Sequence, residues 1–214
     1  RGSPLAECRA PEVPDSLPAM PPDRAPDAPA TSDAGVFLRM FPSIVLPMFI
    51  AVMDQTIVAT ALPAIAVAMD DVERIAWVVV AYLVATTIAA PVYGRLGDVY
   101  GRRRMMFVAL GVMLLGSLAC AMAPSLLFLI GARTLQGLGG GGLMTLSQAL
   151  ISESVPPRDR ARYQGYLATV VVFSNVFGPV AGGWLTSGLG WRSIFWINLP
   201  LGLLAAALVL RLPA

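Results

Sequence analysis

Six apolar windows alternate with short polar stretches along this 214-residue chain, at residues 37–68, 75–93, 105–123, 126–151, 163–186 and 193–210. A helix needs roughly 17–25 apolar residues to cross the hydrocarbon core of a bilayer, so each window is read as one transmembrane helix. Pro42, Pro47, Pro63, Pro91 and Pro179 fall in or at the ends of these windows, where membrane helices tolerate proline better than soluble ones do. The pattern predicts an all-α membrane protein with six transmembrane helices.

The polar stretches alternate in character. The second connection carries Arg95, Arg102, Arg103 and Arg104, and the fourth carries Arg158, Arg160 and Arg162. The first is acidic (Asp70, Asp71, Glu73) with only Arg74, the third is uncharged, and the fifth has only Arg192. Seven arginines against two place the even connections, and both ends of the chain, on the cytoplasmic side. The last arginine, Arg211, follows the sixth window on that side. Residues 1–34 are a different material: eight prolines, many alanines and scattered charges, with no apolar periodicity. That composition cannot bury enough surface to offset chain entropy and is expected to be a disordered cytoplasmic tail, leaving 35–214 as the helical unit. It has no signal-peptide pattern, and residue 1 is Arg.

Composition narrows the chemistry. The chain is 57% apolar and 13% charged, far below the charge content of soluble domains. Its net charge of +2 does not suggest nucleic acid. All fifteen basic residues are arginine, so Ser-His or Cys-His nucleophiles, His-ligated metals and a Walker-type loop are absent from it. Cys8 lies in the tail and Cys120 inside an apolar window; they are expected neither to pair nor to bind metal. No enzyme activity and no metal or organic cofactor is expected.

Charges inside the windows are few. Asp54 lies near the middle of the first, about 14 residues, or roughly 20 Å of helix, from Met40. A carboxylate there must face protein or water, and burial favours its neutral form, which suits a group that takes up and releases a proton. A structural carboxylate satisfied by an arginine or a helix end is the plainer alternative. Arg133 is the single charge of the fourth window's interior. Gly137 and Gly141 follow on the same face, which would leave room beside the guanidinium. It could pair with Asp54, hold an anionic group, or snorkel to the interface. The run 137–142 formally matches G-x-G-x-x-G, but it lies in an apolar helical window and reads as close packing through small residues. In the fifth window Ser174, Gly178 and Gly182 form a small-residue stripe, with Pro179 and Gly183 beside them. It suits either homodimerisation or close packing on another helix of the chain.

Together these residues resemble the major facilitator superfamily, and more narrowly its fourteen-span drug:proton antiporters. Residues 53–63 (Met-Asp-Gln-Thr-Ile-Val-Ala-Thr-Ala-Leu-Pro) resemble the first-helix motif, with Ala59 in place of the usual Asn. Residues 94–104 (Gly-Arg-Leu-Gly-Asp-Val-Tyr-Gly-Arg-Arg-Arg) resemble the second-loop motif. Residues 133–140 resemble the fourth-helix motif that the family associates with proton transfer. Residues 174–183 resemble the fifth-helix antiporter motif, with Ser174 for its first Gly. Residues 191–202 resemble the start of the sixth helix.

The resemblance implies the N-terminal bundle of a major facilitator fold, two inverted three-helix repeats, in a proton-coupled antiporter that exports lipophilic compounds by alternating access. It implies that the chain lacks the later helices. Asp54 and Arg133 would couple the proton, the only coupling ion. Gln55, Gln136, Gly137 and Gly141 would line the substrate cavity. Gly94, Asp98, Gly101, Arg102 and Arg103 would form a conformational-switch loop. There Gly97 and Gly101 would permit a tight turn, and Asp98 would accept from a neighbouring helix N-terminus and pair with an arginine. Ser174, Gly178, Pro179, Gly182 and Gly183 would pack on a helix, in the missing half by this reading. The expected partners are a small lipophilic substrate, the lipid bilayer, the missing C-terminal helices and, as a candidate, a periplasmic adaptor protein. The expected site is a bacterial inner membrane. An exporter of one metabolite, antibiotic or siderophore and a non-transporting scaffold that dimerises through the fifth helix are the alternatives. A six-span membrane enzyme such as an intramembrane protease is disfavoured by the missing His and the lack of paired intramembrane carboxylates.

Overall fold

The computed structural model describes residues 31–210, with side chains from residue 41 onward; the tail reading at 1–30 and Arg211 lie outside the described residues. The described part is helical apart from short connections, and no strand occurs among the described residues. The helices are α1 (Thr31–Met69), α2 (Trp77–Tyr100), α3 (Arg102–Ala121), α4 (Leu126–Ser154), α5 (Arg160–Leu189), α6 (Ser193–Trp196) and α7 (Asn198–Val209). The last two are parts of one segment broken at Ile197. Pro200 has no N–H and its ring crowds the carbonyl four residues back, that of Trp196, where the regular helix stops. Thr31 to Ala34, read from sequence as the end of the tail, belong to α1.

Four segments are long and apolar enough to cross a membrane: Phe41–Met69, α2, α3 and α5. α4 is long enough at 29 residues, but glycines and Arg133 replace large apolar side chains along it. It can give them up because it is the central helix, packed on α1, α2, α3 and α5.

The packing has an internal symmetry. α2 packs on α4 as α5 packs on α1, and α3 packs on α4 as α6–α7 pack on α1, while α1–α4 and α3–α7 are in contact across the middle. Exchanging α1, α2, α3 for α4, α5, α6–α7 maps this set onto itself, as two three-helix repeats require. The turns repeat too. Gly101 (φ 90°) separates α2 from α3 and Gly190 (φ 85°) ends α5, both in a backbone region that favours glycine. Two residues beyond each glycine an arginine caps the far helix of the other repeat. Arg103 donates to the carbonyl of Leu210 past α7 at 2.8 Å, and Arg192 donates to that of Ala123 past α3 at 3.0 Å. Cations at helix C-termini are favoured by the carbonyls exposed there. One staple closes each end of the bundle.

The reading of 94–104 as a loop is corrected. α2 runs on to Tyr100, and only Gly101 separates it from α3. The polar residues mark where the helix leaves the hydrocarbon, not where it ends: 24 residues span about 36 Å, more than the apolar core needs. Gly97 is therefore no turn residue. It lies inside α2, and a Cβ there would meet Leu146 of α4 at 2.8 Å.

Two apolar cores fill the bundle. One gathers Ile44, Met48, Ala51, Met106, Met113, Leu143 and Leu146; the other gathers Met53, Ile57, Val58, Cys120, Leu129 and Phe195. On α1 they meet at Asp54, on α3 at Ser117 and on α4 around Gln136, so a thin polar layer lies between them.

Candidate functional site: a buried carboxylate–guanidinium layer

Five segments each send polar side chains into that layer: Asp54 from α1, Tyr82 from α2, Ser117 from α3, Arg133 and Gln136 from α4, and Asn198 from α7. All are at most 1% exposed. Arg133 Nη1 donates to Asp54 Oδ2 at 2.6 Å and to Gln136 Oε1 at 2.6 Å, and its Nε donates to the Val78 carbonyl at 3.4 Å. The guanidinium also lies 4.2 Å from the centre of the Tyr82 ring. The Tyr82 hydroxyl donates to the Ala51 carbonyl at 3.0 Å, tying α2 to the turn that carries Asp54.

The other carboxylate oxygen, Asp54 Oδ1, accepts from two amides: Gln136 Nε2 at 2.9 Å and Asn198 Nδ2 at 2.5 Å. Both amides also donate to Ser117 Oγ, at 2.7 and 3.3 Å. Cys120 Sγ lies 3.5 Å from Gln136 Oε1. Within this layer the one buried side-chain oxygen without a partner among the described residues is Asn198 Oδ1. Two charges in a dry interior are tolerable only when paired and hydrogen-bonded in this way.

Of the alternatives open to Arg133, pairing with Asp54 is the one the structure has; with 1% exposure the side chain does not snorkel. Gln136 joins the same cluster. Gln55 does not: it is half-buried, on another face of α1. Gly137 and Gly141 do not leave room beside Arg133. A Cβ on either would come within 2.5 Å of an α2 carbonyl, that of Tyr82 or Thr86, so α2 fills the groove. Ser117, Tyr82 and Asn198 were not singled out by sequence. Asn198 carried a signal, as the one amide in its apolar window; a Ser or Tyr in a membrane helix carries little.

The fifth-helix stripe meets a partner inside this chain, not in a missing half. Ser174, Gly178 and Gly182 are buried on α1: Thr56 Oγ1 donates to the Ser174 carbonyl at 3.3 Å, and a Cβ on Gly178 or Gly182 would run into Thr56 or Thr60. Gly183 faces away, with nothing within 4 Å of its Cβ position, and Pro179 is exposed. The face offered for homodimerisation is therefore occupied by α1.

At the other candidate site, Asp98 pairs with Arg102 at 2.9 Å, and Arg102 also reaches Glu153 at the end of α4, at 2.7 Å. The expected bond from a helix N-terminus to Asp98 is not found among the described residues. Gly101 is the turn residue, Gly94 makes ordinary contact with Thr145, and Arg103 is the staple to Leu210.

Six helical segments around a buried acid–arginine pair, folded as two equivalent triplets, define an apolar membrane-helix bundle built of two repeats. The family model of the Major Facilitator Superfamily matches residues 44–214, and the chain belongs to that superfamily. A Mycobacterium tuberculosis MFS-type transporter is 40% identical over 77% of the chain and 24% of its own length. An MFS-type efflux pump of a Fusarium species is 35% identical over 90% of the chain and 34% of its own length. Multidrug resistance protein 3 of Bacillus subtilis is 36% identical over 78% of the chain and 33% of its own length. The chain thus spans a quarter to a third of these relatives. Among solved structures, a D-xylose-proton symporter superposes with a TM-score of 0.70 at 16% identity, over 83% of this chain and 48% of that one, which speaks to the fold alone.

Proposed function

We propose that this chain is the N-terminal bundle of a proton-coupled antiporter that exports lipophilic drugs or related small molecules by alternating access. The observation that carries the reading is the Asp54–Arg133 pair in a dry layer between two apolar cores. Among the described residues Asp54 is the one buried acid. Protonated, it is neutral and inexpensive to keep in a closed site; ionised, it needs the cation that Arg133 supplies. A substrate that competes for the carboxylate or its partners would displace the proton, which gives exchange with one acid and no metal.

The relatives' names, efflux pump and multidrug resistance protein, fit export, and their greater length fits a second bundle that works against this one. The occupied α5 face weighs against a scaffold that dimerises there. Orientation follows the arginines, with both ends cytoplasmic in a bacterial inner membrane, and a periplasmic adaptor is a candidate partner. The staples agree with an alternating topology: Arg103 joins the second connection to the end of α7, and Arg192 joins the fifth to the third.

The test is Asp54→Asn in the full-length protein. It reaches the membrane but no longer exports a lipophilic substrate against its gradient when a proton gradient is imposed. Retained proton-driven export places the carrier in other helices and overturns the assignment. A substrate panel on the active protein separates a multidrug exporter from an exporter of one metabolite, antibiotic or siderophore.

A further inference from the structure

The two oxygens of Asp54 are not equivalent. Oδ2 faces Arg133, a permanent cation, so a proton placed there would confront the guanidinium. Oδ1 faces two neutral amides. Its partner Asn198 has a carbonyl oxygen, Oδ1, that is fully buried and accepts nothing, while its nitrogen donates both of its hydrogens, to Asp54 and to Ser117. An amide is nearly symmetric in shape, and turning it over exchanges a donor for an acceptor in place. The contact between Asn198 Nδ2 and Asp54 Oδ1 is where such an exchange would act.

We propose that Asp54 takes its proton on Oδ1 and that Asn198 turns its amide over in response. Asn198 is then a positioning residue that donates to the carboxylate and accepts from the carboxylic acid. In the protonated state the acid O–H donates to the amide oxygen, and the Ser117 hydroxyl is placed to donate to it as well. Gln136 continues to donate to the acid oxygen and Arg133 to the other. Both arrangements keep Asp54, Asn198 and Ser117 bonded to one another without moving a helix. Gln136 cannot make the same exchange, because its Oε1 is held by Arg133.

The groups around Asp54 that carry or change charge are Arg133 and, farther from the carboxylate, Tyr82 and Cys120; α7 contributes only Asn198, and α5 presents Ser174, Gly178 and Gly182 to α1. The proposal rests on the reading of Asp54 as a proton carrier.

The chain has two asparagines, Asn175 and Asn198. Asn175 is exposed, so an Asn175→Ser background with side-chain-labelled asparagine leaves one labelled amide. Infrared titration of this chain in lipid vesicles follows that amide and the Asp54 carboxyl, the latter assigned by its displacement in Asp54→Glu. Acidification makes the carboxylic acid band appear, and the Asn198 carbonyl band moves to lower frequency with the same midpoint, as an unbonded oxygen gains donors. An Asp54 band that titrates while Asn198 stays silent, or moves at another pH, overturns the proposal and leaves the proton carrier standing. No Asp54 titration overturns both. Asn198→Leu removes the stronger bond to the ionised form as well as the weaker one to the neutral form, so the midpoint moves in that variant. An unchanged midpoint in that variant contradicts the positioning role, and should Asn198→Leu not fold, the labelled wild-type side chain still decides.

Discussion

Cutting the Asp54–Arg133 pair from each side separately tests whether it is one coupled unit. Removing one member of a buried ion pair costs about 3–5 kcal/mol, because the other charge is left uncompensated. In Asp54→Asn, Arg133 keeps the Gln136 oxygen, the Val78 carbonyl and the face of Tyr82. These partners place the loss near the lower end, about 3 kcal/mol. In Arg133→Leu, the carboxylate keeps two amide donors. It can also shed its charge by taking a proton, which Arg133 cannot do. The Arg133→Leu penalty therefore shrinks on acidification, and so does that of Asp54→Asn, because a protonated Asp54 in the wild type is as neutral as the asparagine. The double variant holds no charge and should lose less than the sum, with a coupling of about 2–3 kcal/mol. At about 2–4 °C per kcal/mol for a chain of this size, a single variant melts about 6–12 °C lower. Cys120 reports the unfolding: it is buried in the fold and reacts with a thiol dye once the bundle opens, in a Cys8→Ser background. Additive losses, or an Arg133→Leu deficit indifferent to pH, would refute the reasoning.

Other outcomes follow from the packing. Gly178→Leu drives a side chain into Thr56 and parts α5 from α1, for about 1–3 kcal/mol of overpacking, whereas Gly183→Leu is tolerated; equal melting points would remove the α5–α1 contact from the account. Asp98→Asn breaks an exposed pair worth at most about 1 kcal/mol, so the full-length protein should melt normally, bind substrate and transport more slowly; parallel loss of binding and transport would indicate misfolding instead. A thiol reagent applied from outside should label Asp71→Cys and miss Asp159→Cys; the reverse pattern would invert the topology.

What could be read in the sequence follows from what a bilayer makes rare. Asp54 and Arg133 stand out because an unpaired charge is costly in an apolar window, and the structure pairs them. Ser117 and Tyr82 do not stand out, because hydroxyl side chains occur throughout membrane helices, bonded to their own backbone. Small-residue spacing named the faces of α4 and α5 but not what covers them: Gly137 and Gly141 meet α2, and Gly178 and Gly182 meet α1, which periodicity along one helix cannot tell. The arginine run marked a water boundary, and the helix continued past it to Gly101.

Proton release on substrate binding tests the central claim most directly. The full-length protein in weakly buffered detergent, at a pH where Asp54 is protonated, receives a lipophilic substrate while a pH indicator records the solution. If substrate and proton compete at Asp54, binding acidifies the medium in proportion to the protein present, and Asp54→Asn binds without any release. Undiminished proton release by Asp54→Asn would contradict the account.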